Sequence, residues 1–140
     1  MTLFDAGAIV ALLYRDDDYH EPCKKAFSSL RKPYRTTWPV ITEAMYLLGK
    51  RCGPEGYDAL WRLIRMSGGL ELVEIDADMS IRMQELMAQY SPRMDLADAS
   101  LVALAERTET NVVFTIDRKD FLTYRLPGKQ CFIIEPQPVS

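Results

Sequence analysis

Short runs that are apolar or alternating, Thr2 to Phe4, Tyr34 to Thr36, Leu70 to Ile75 and Asn111 to Ile116, are separated in this chain by longer segments of helical spacing. Runs this short suit strands, and the segments between them are long enough for helices. Strand alternating with helix dictates a layered α/β fold, because parallel neighbours need a crossover and a helix is the usual one. We expect about four or five strands in a central, largely parallel sheet, flanked by helices in three layers, with residues 1–140 forming one domain.

The helical segments have legible ends. Ala6 to Tyr14 has the Ala, Ile, Val and Leu content of a buried helix. Pro22 fits the first turn of a helix over Glu21 to Leu30. Thr37 can cap a helix from Pro39 to Lys50 that Gly53 and Pro54 stop, and another runs from there to Met66 and ends at Gly68-Gly69. Met79 to Tyr90 is helical up to Ser91-Pro92, and Asp95 to Arg107 reads as the most strongly amphipathic helix of the chain. Cys131 to Ile134 reads as a last strand.

With 140 residues the chain can bury one core without disulfides or a structural metal. Cys23, Cys52 and Cys131 are an odd number without CxxC spacing, so they read as reduced, structural thiols. The apolar stretches Ala8 to Tyr14 and Leu96 to Ala105 fall short of the roughly 20 residues that cross a bilayer, and Asp5 interrupts any leader-like start. A cytoplasmic protein is expected. The formal charge of −3 argues against a broad phosphate-binding footprint, so contact with nucleic acid would have to be local.

Several carboxylates stand where carboxylates are costly. Asp5 and Asp117 each follow an apolar strand, which in a parallel sheet puts both at the carboxyl edge where ligands bind; the alternative is that each only caps the next helix. Asp98 shares a helical stripe with Leu101, Val102 and Ala105, so its side chain is expected to point inward. Asp95 lies beside it on nearly the same face, or else caps that helix. Glu43 borders the apolar side formed by Val40, Ile41, Ala44, Leu47 and Leu48, about 40° round the helix from Leu47, and is otherwise an ordinary solvated acid. Carboxylates that converge repel one another unless a cation stands among them, and oxygen ligands without matching His or Cys select Mg²⁺ or Mn²⁺. Such ions activate water and stabilise charge on a phosphoryl group.

Other chemistries are poorly supplied. His20 is the only histidine, so a Ser-His-Asp or Cys-His arrangement would rest on it alone. There is no GxGxxG and no GxxxxGK[ST]. A phosphatase or phospho-acceptor domain would need a further acid shortly after Asp5, where the chain has Ala6 and Gly7.

Four segments together, FDAGAIVALLYRDDDYH at 4–20, VITEAMYLLG at 40–49, MDLADASLVALAE at 94–106 and FTIDRKDF at 114–121, resemble the PIN-domain family, most closely its VapC-type toxins. The likeness covers nearly the whole chain and is most specific in ADASLVALAE and TIDRKDF. It implies a PIN-like α/β/α fold and a ribonuclease that hydrolyses RNA phosphodiester bonds with Mg²⁺ or Mn²⁺. Asp5, Glu43, Asp98 and Asp117 match the family's four acidic positions, with Asp95 and Asp120 as supporting acids. Many relatives carry Thr or Ser directly after the first aspartate, where this chain has Ala6; Thr115 matches the family's TxD and could supply a hydrogen bond near the metal.

The resemblance further implies that Asp5, Asp98 and Asp117 hold one ion, or two with Glu43, and that a small antitoxin blocks the acidic pocket; homodimers are common in the family. Arg15, Lys50, Arg51, Arg118 and Lys119 are candidates for substrate contact, with solvated surface charge as the alternative. Tyr46, Trp61 and Leu63 fit core packing, or part of a groove for a partner. The competing functions are a non-catalytic PIN-like interaction module and a solitary PIN nuclease of RNA processing.

Overall fold

The computed structural model describes residues 1–138; Val139 and Ser140, included in the expected unit 1–140, lie outside them. Strand β1 (Thr2–Phe4) leads into helix α1 (Ala6–Leu13). Helix α2 (His20–Phe27), strand β2 (Tyr34–Thr37), helices α3 (Trp38–Cys52) and α4 (Pro54–Arg65), and strand β3 (Leu70–Val73) follow. Next come α5 (Ala77–Gln89), α6 (Leu96–Thr108), β4 (Val112–Phe114) and the short α7 (Arg118–Thr123). The chain closes with β5 (Arg125–Leu126), β6 (Gln130–Cys131) and β7 (Ile133–Glu135).

Five strands form one sheet in the order β3-β2-β1-β4-β7, every pair parallel. With helices flanking it, the fold is the three-layer α/β/α arrangement expected. Strand β1 is central, and all three of its residues are buried, as a strand covered on both faces must be. Beneath the future site, Phe4 packs on Phe114 at 4.9 Å and on Tyr34 at 5.1 Å between ring centroids. The chain leaves β1 towards β2 on one side and reaches β4 on the other, so β1 and β4 flank the point where strand order reverses. In open α/β sheets the crevice beyond that point is where ligands bind.

Four expectations need correction. Helix α6 is not amphipathic: every residue from Ala97 to Ala105 is buried, because the helix packs against α5, α3 and β2 at once. The segment expected as one last strand is divided between β6, paired antiparallel with β5, and β7 on the main sheet. Helix α7 was not anticipated, being too short to show a period. Thr37 does precede α3, but its hydroxyl makes no cap and instead lies 2.6 Å from the Ser100 hydroxyl, tying β2 to α6.

The cysteines are free, and the structural reading holds for buried Cys23 and fails for exposed Cys131. His20 Nδ1 donates to the Ala11 carbonyl at 2.7 Å, a tie between α2 and α1 rather than part of a catalytic set. Among the described residues, no helix is long and apolar enough to cross a membrane.

Candidate active site

Helices α1, α6 and α7 each begin at an aspartate: Asp5, Asp95 and Asp117 occupy the three N-cap positions. An N-cap carboxylate satisfies backbone N–H groups that the helix leaves open, and the positive end of the helix dipole favours its charge. The capping alternative was therefore correct for all three. It does not compete with a ligand role, because each carboxylate oxygen accepts more than one hydrogen bond.

Asp5 shows this most fully. Its backbone N–H donates to the Phe114 carbonyl at 2.9 Å, fixing the end of β1 beside β4. One carboxylate oxygen accepts from the Ala6 N–H at 2.8 Å and the other from the Thr115 hydroxyl at 2.7 Å. The Thr115 Oγ1 in turn accepts from the Asp117 N–H at 2.9 Å. One buried hydroxyl thus ties the two strand-end aspartates together and supplies the orienting bond that Ala6 cannot. Gly7 lets α1 start this close to β4, since a Cβ there would stand 2.9 Å from Ile116 Cγ1.

Asp98 lies in the first turn of α6 and is 8% exposed, against 7% for Asp5. Its Oδ2 accepts from the Tyr124 hydroxyl at 2.6 Å. Tyr124, which follows α7 directly, is fully buried and was missed from sequence. The legible hint was the aromatic spacing of Phe121 and Tyr124 after Asp117, which a recognised α7 would have turned inward.

The electrostatics follow from this burial. Desolvation pushes Asp98 up to about 8, opposed by the Tyr124 bond and reinforced by the charges of Asp5, Asp95 and Asp120. Asp5 is pushed up to about 6, again by burial first, with the Thr115 and Ala6 bonds opposing and Glu43 and Asp117 adding to the rise. Glu43 and Asp117 are held above the ordinary carboxylate range by partial burial and by neighbouring acids. The charges of Asp95 and Asp120 act on Asp98 and Asp117, and those of Glu43 and Asp117 act on Asp5, so these acids neighbour one another at the switch point.

Among these acids only Asp5 and Asp98 are buried; Glu43, Asp95 and Asp117 are exposed. As placed, among the described residues, no three His, Cys, Asp or Glu side chains converge tightly enough to hold a metal ion. Asp95, read as possibly inward, spends one oxygen on the Asp98 N–H at 2.8 Å. Asp120 is paired with Arg93 at 3.0 Å. Of the basic candidates, Arg51 is paired with Asp17 at 2.9 Å and Arg118 donates to the Pro136 carbonyl at 3.3 Å. Arg15, Lys50 and Lys119 are exposed. Leu63 belongs to the core, whereas Tyr46 and Trp61 do not, so the core reading fails for those two.

Thr115→Val keeps the side-chain shape and removes the hydroxyl. With one oxygen of buried Asp5 losing its donor, stability at pH 7.5 is expected to fall by ~1–3 kcal/mol, read from urea unfolding midpoints.

The model of the PIN domain family matches residues 2–125. Over 135 residues the chain is 26% identical to a curated protein of Mycobacterium tuberculosis, Ribonuclease VapC26, spanning 96% of this chain and 99% of that one. Among solved structures it is similar to M. tuberculosis VapC20, described as a sarcin-ricin loop cleaving toxin. There the TM-score is 0.75 at 22% identity, over 84% of this chain and 91% of that one. A toxin–antitoxin complex from Klebsiella pneumoniae gives a TM-score of 0.65 at 22% identity, over 91% and 94% of the two chains. VapBC2 from Rickettsia felis, bound to a DNA fragment from their promoter, gives 0.66 at 14% identity, over 96% of each.

Proposed function

The chain belongs to the PIN-domain family, and from that premise we propose that it is a divalent-metal-dependent endoribonuclease, the toxin of a toxin–antitoxin pair. The observation that carries this reading is the pair of buried carboxylates, Asp5 and Asp98, at the switch point of a parallel sheet, each held well above the ordinary range. A structural acid is normally buried with a cationic partner, and here the partners are neutral hydroxyls and further acids. The ribonuclease name of the M. tuberculosis relative points the same way.

The donor set fits a hard cation. It consists of carboxylate oxygens with no imidazole or thiolate among them, which suits Mg²⁺ or Mn²⁺. Asp5, Asp98 and Asp117 would hold the ion once their carboxylates close in on it, since as placed they stand too far apart, with Glu43 and Asp95 at the open side. Bound there, such an ion supplies positive charge that activates water near neutral pH and offsets charge on the phosphoryl oxygens. Thr115 and Tyr124 fix the orientation of Asp5 and Asp98. To Glu43, exposed and raised, we assign the removal of a proton from incoming water. The acidic pocket repels phosphate by itself, so substrate binding and ion binding are coupled. A partner that caps this pocket with a basic side chain would shut it, which is the role we assign to an antitoxin.

The test is cleavage of a mixed RNA pool by the purified chain in Mn²⁺. Cutting is expected to stop with EDTA, return with added Mn²⁺, and be lost in a folded Asp98→Asn variant. A wild type that neither cuts RNA nor binds Mn²⁺ by calorimetry would replace this reading with a non-catalytic binding module.

A further inference from the structure

An open groove of about 650 Å³ runs between α3 and the start of α6. Trp38, Thr42 and Tyr46 stand one turn apart along one face of α3, and Leu96 and Ala97 form the opposite wall. Three of these side chains are large, apolar and open to water: Trp38 is 46% exposed, Tyr46 64% and Leu96 53%. A contiguous exposed patch of this kind marks a binding surface more often than scattered surface residues do. Glu43 and Asp95 also line the groove, and Asp95 accepts from the Asp98 N–H at 2.8 Å, so the groove adjoins the candidate active site.

We infer that this groove takes an unpaired nucleobase of the RNA strand, stacked on Trp38 and Tyr46, beside the phosphate to be cut; the inference rests on the nuclease reading above. A strand whose phosphate lies at Asp5 and Asp98 must leave along a neighbouring surface, and this groove reaches Asp95, the residue that holds the Asp98 N–H. Among the described residues no Lys or Arg lines it, and its charged groups are acids, so it repels phosphate and accepts a neutral ring. Aromatic planes stack on any base without needing base-specific geometry. Glu43 and Asp95 are hydrogen-bond acceptors, which suits a base carrying an exocyclic amino group, cytosine, adenine or guanine, better than uracil. Lys50, one turn beyond Tyr46 with its ammonium 6.0 Å from that ring, places a cation where the next phosphate would pass.

The experiment titrates a short, unstructured, fluorescein-labelled RNA of mixed sequence, with phosphorothioate linkages that resist cutting, in Mg²⁺, into the wild-type chain. Adding Trp38→Ala or Tyr46→Ala is expected to weaken binding at least about tenfold each, while Trp38→Phe retains most of it. Removing the base next to the cleavage position from the RNA is expected to cost a similar factor, with no further loss when Trp38→Ala is also present. Both residues are exposed, so the variants are expected to unfold at the wild-type temperature. Unchanged RNA affinity in both alanine variants would overturn the inference. So would a halving of molecular mass by light scattering in Trp38→Ala with RNA affinity intact, which would make the groove an interface between two copies. Cleavage of unmodified RNA by the wild type, measured alongside, separates the two claims. Cutting that is indifferent to both aromatics removes the groove alone, and Trp38-dependent binding by a chain that never cuts removes the nuclease reading.

Discussion

Asp98→Asn is expected to stabilise the metal-free chain at pH 8 and to abolish metal-dependent RNA cleavage in the same molecule. The folded state raises the Asp98 carboxyl from 3.8 to about 8, so it binds this proton far more tightly than the unfolded chain does. That contribution to stability is complete below about pH 4 and is lost as pH rises through about 8. Asparagine stays neutral and keeps the inward position without the cost of a buried charge. The difference between variant and wild type should therefore be small near pH 4 and widen as pH rises. At pH 8 it should reach ~5 kcal/mol, seen as a rise of at least about 10 °C in Tm. Saturating Mg²⁺ should reverse the order, because an ion that binds only the folded wild type adds stability that the variant cannot gain. Activity should fall by about a thousandfold or more, since the variant loses a group that positions charge at the reacting phosphate. A variant no more stable than wild type in EDTA at pH 8, or one that still cuts, would remove Asp98 from the role given it.

The frame of this molecule was legible because strand ends and helix stops are local signals. Asp5 and Asp117 were found at the carboxyl edge because each directly follows an apolar run, and the order of the sheet then brought them together. Asp98 was found for a reason only half right: a helical stripe was invoked, yet α6 is buried on every side through its middle, so any residue there would have been inward. What makes Asp98 distinctive is being the one ionisable side chain in that stretch. For Glu43 and Asp95 the helix period gives direction and not depth, and the structure decides for the solvated reading of Glu43 and the capping reading of Asp95. Thr115 was read as a supporting residue from its spacing to Asp117, whereas its bond to Asp5 joins the residues that follow two different strands. Such links depend on strand pairing, which no local pattern encodes. Tyr46 and Trp61 carry the ambiguity of any aromatic on a helix, and only their exposure in the folded chain shows that they face water.

The dependence of Asp98 on a neighbour distant in sequence leads to the second large expected effect, at Tyr124. Its ring is locked edge-on against Tyr90 at 5.1 Å and Phe121 at 5.3 Å between centroids, so the hydroxyl has little freedom to point elsewhere. Burial and the adjacent Asp98 push its phenol far above the ordinary range, and it remains a donor at every working pH. Donation favours the charged carboxylate and partly offsets the desolvation that raises Asp98. Tyr124→Phe keeps the ring packing and removes that donor. Asp98 should then hold its proton still more tightly, and an incoming Mn²⁺ must displace it. Affinity for Mn²⁺ by calorimetry is expected to weaken by about 10–100-fold at pH 7. The deficit should shrink towards pH 9, where deprotonation no longer limits binding. A merely structural role would instead lower Tm and leave the pH profile of metal binding parallel to wild type. Equal affinity for Mn²⁺ at pH 7 would show that Asp98 needs no help from Tyr124 to hold its charge.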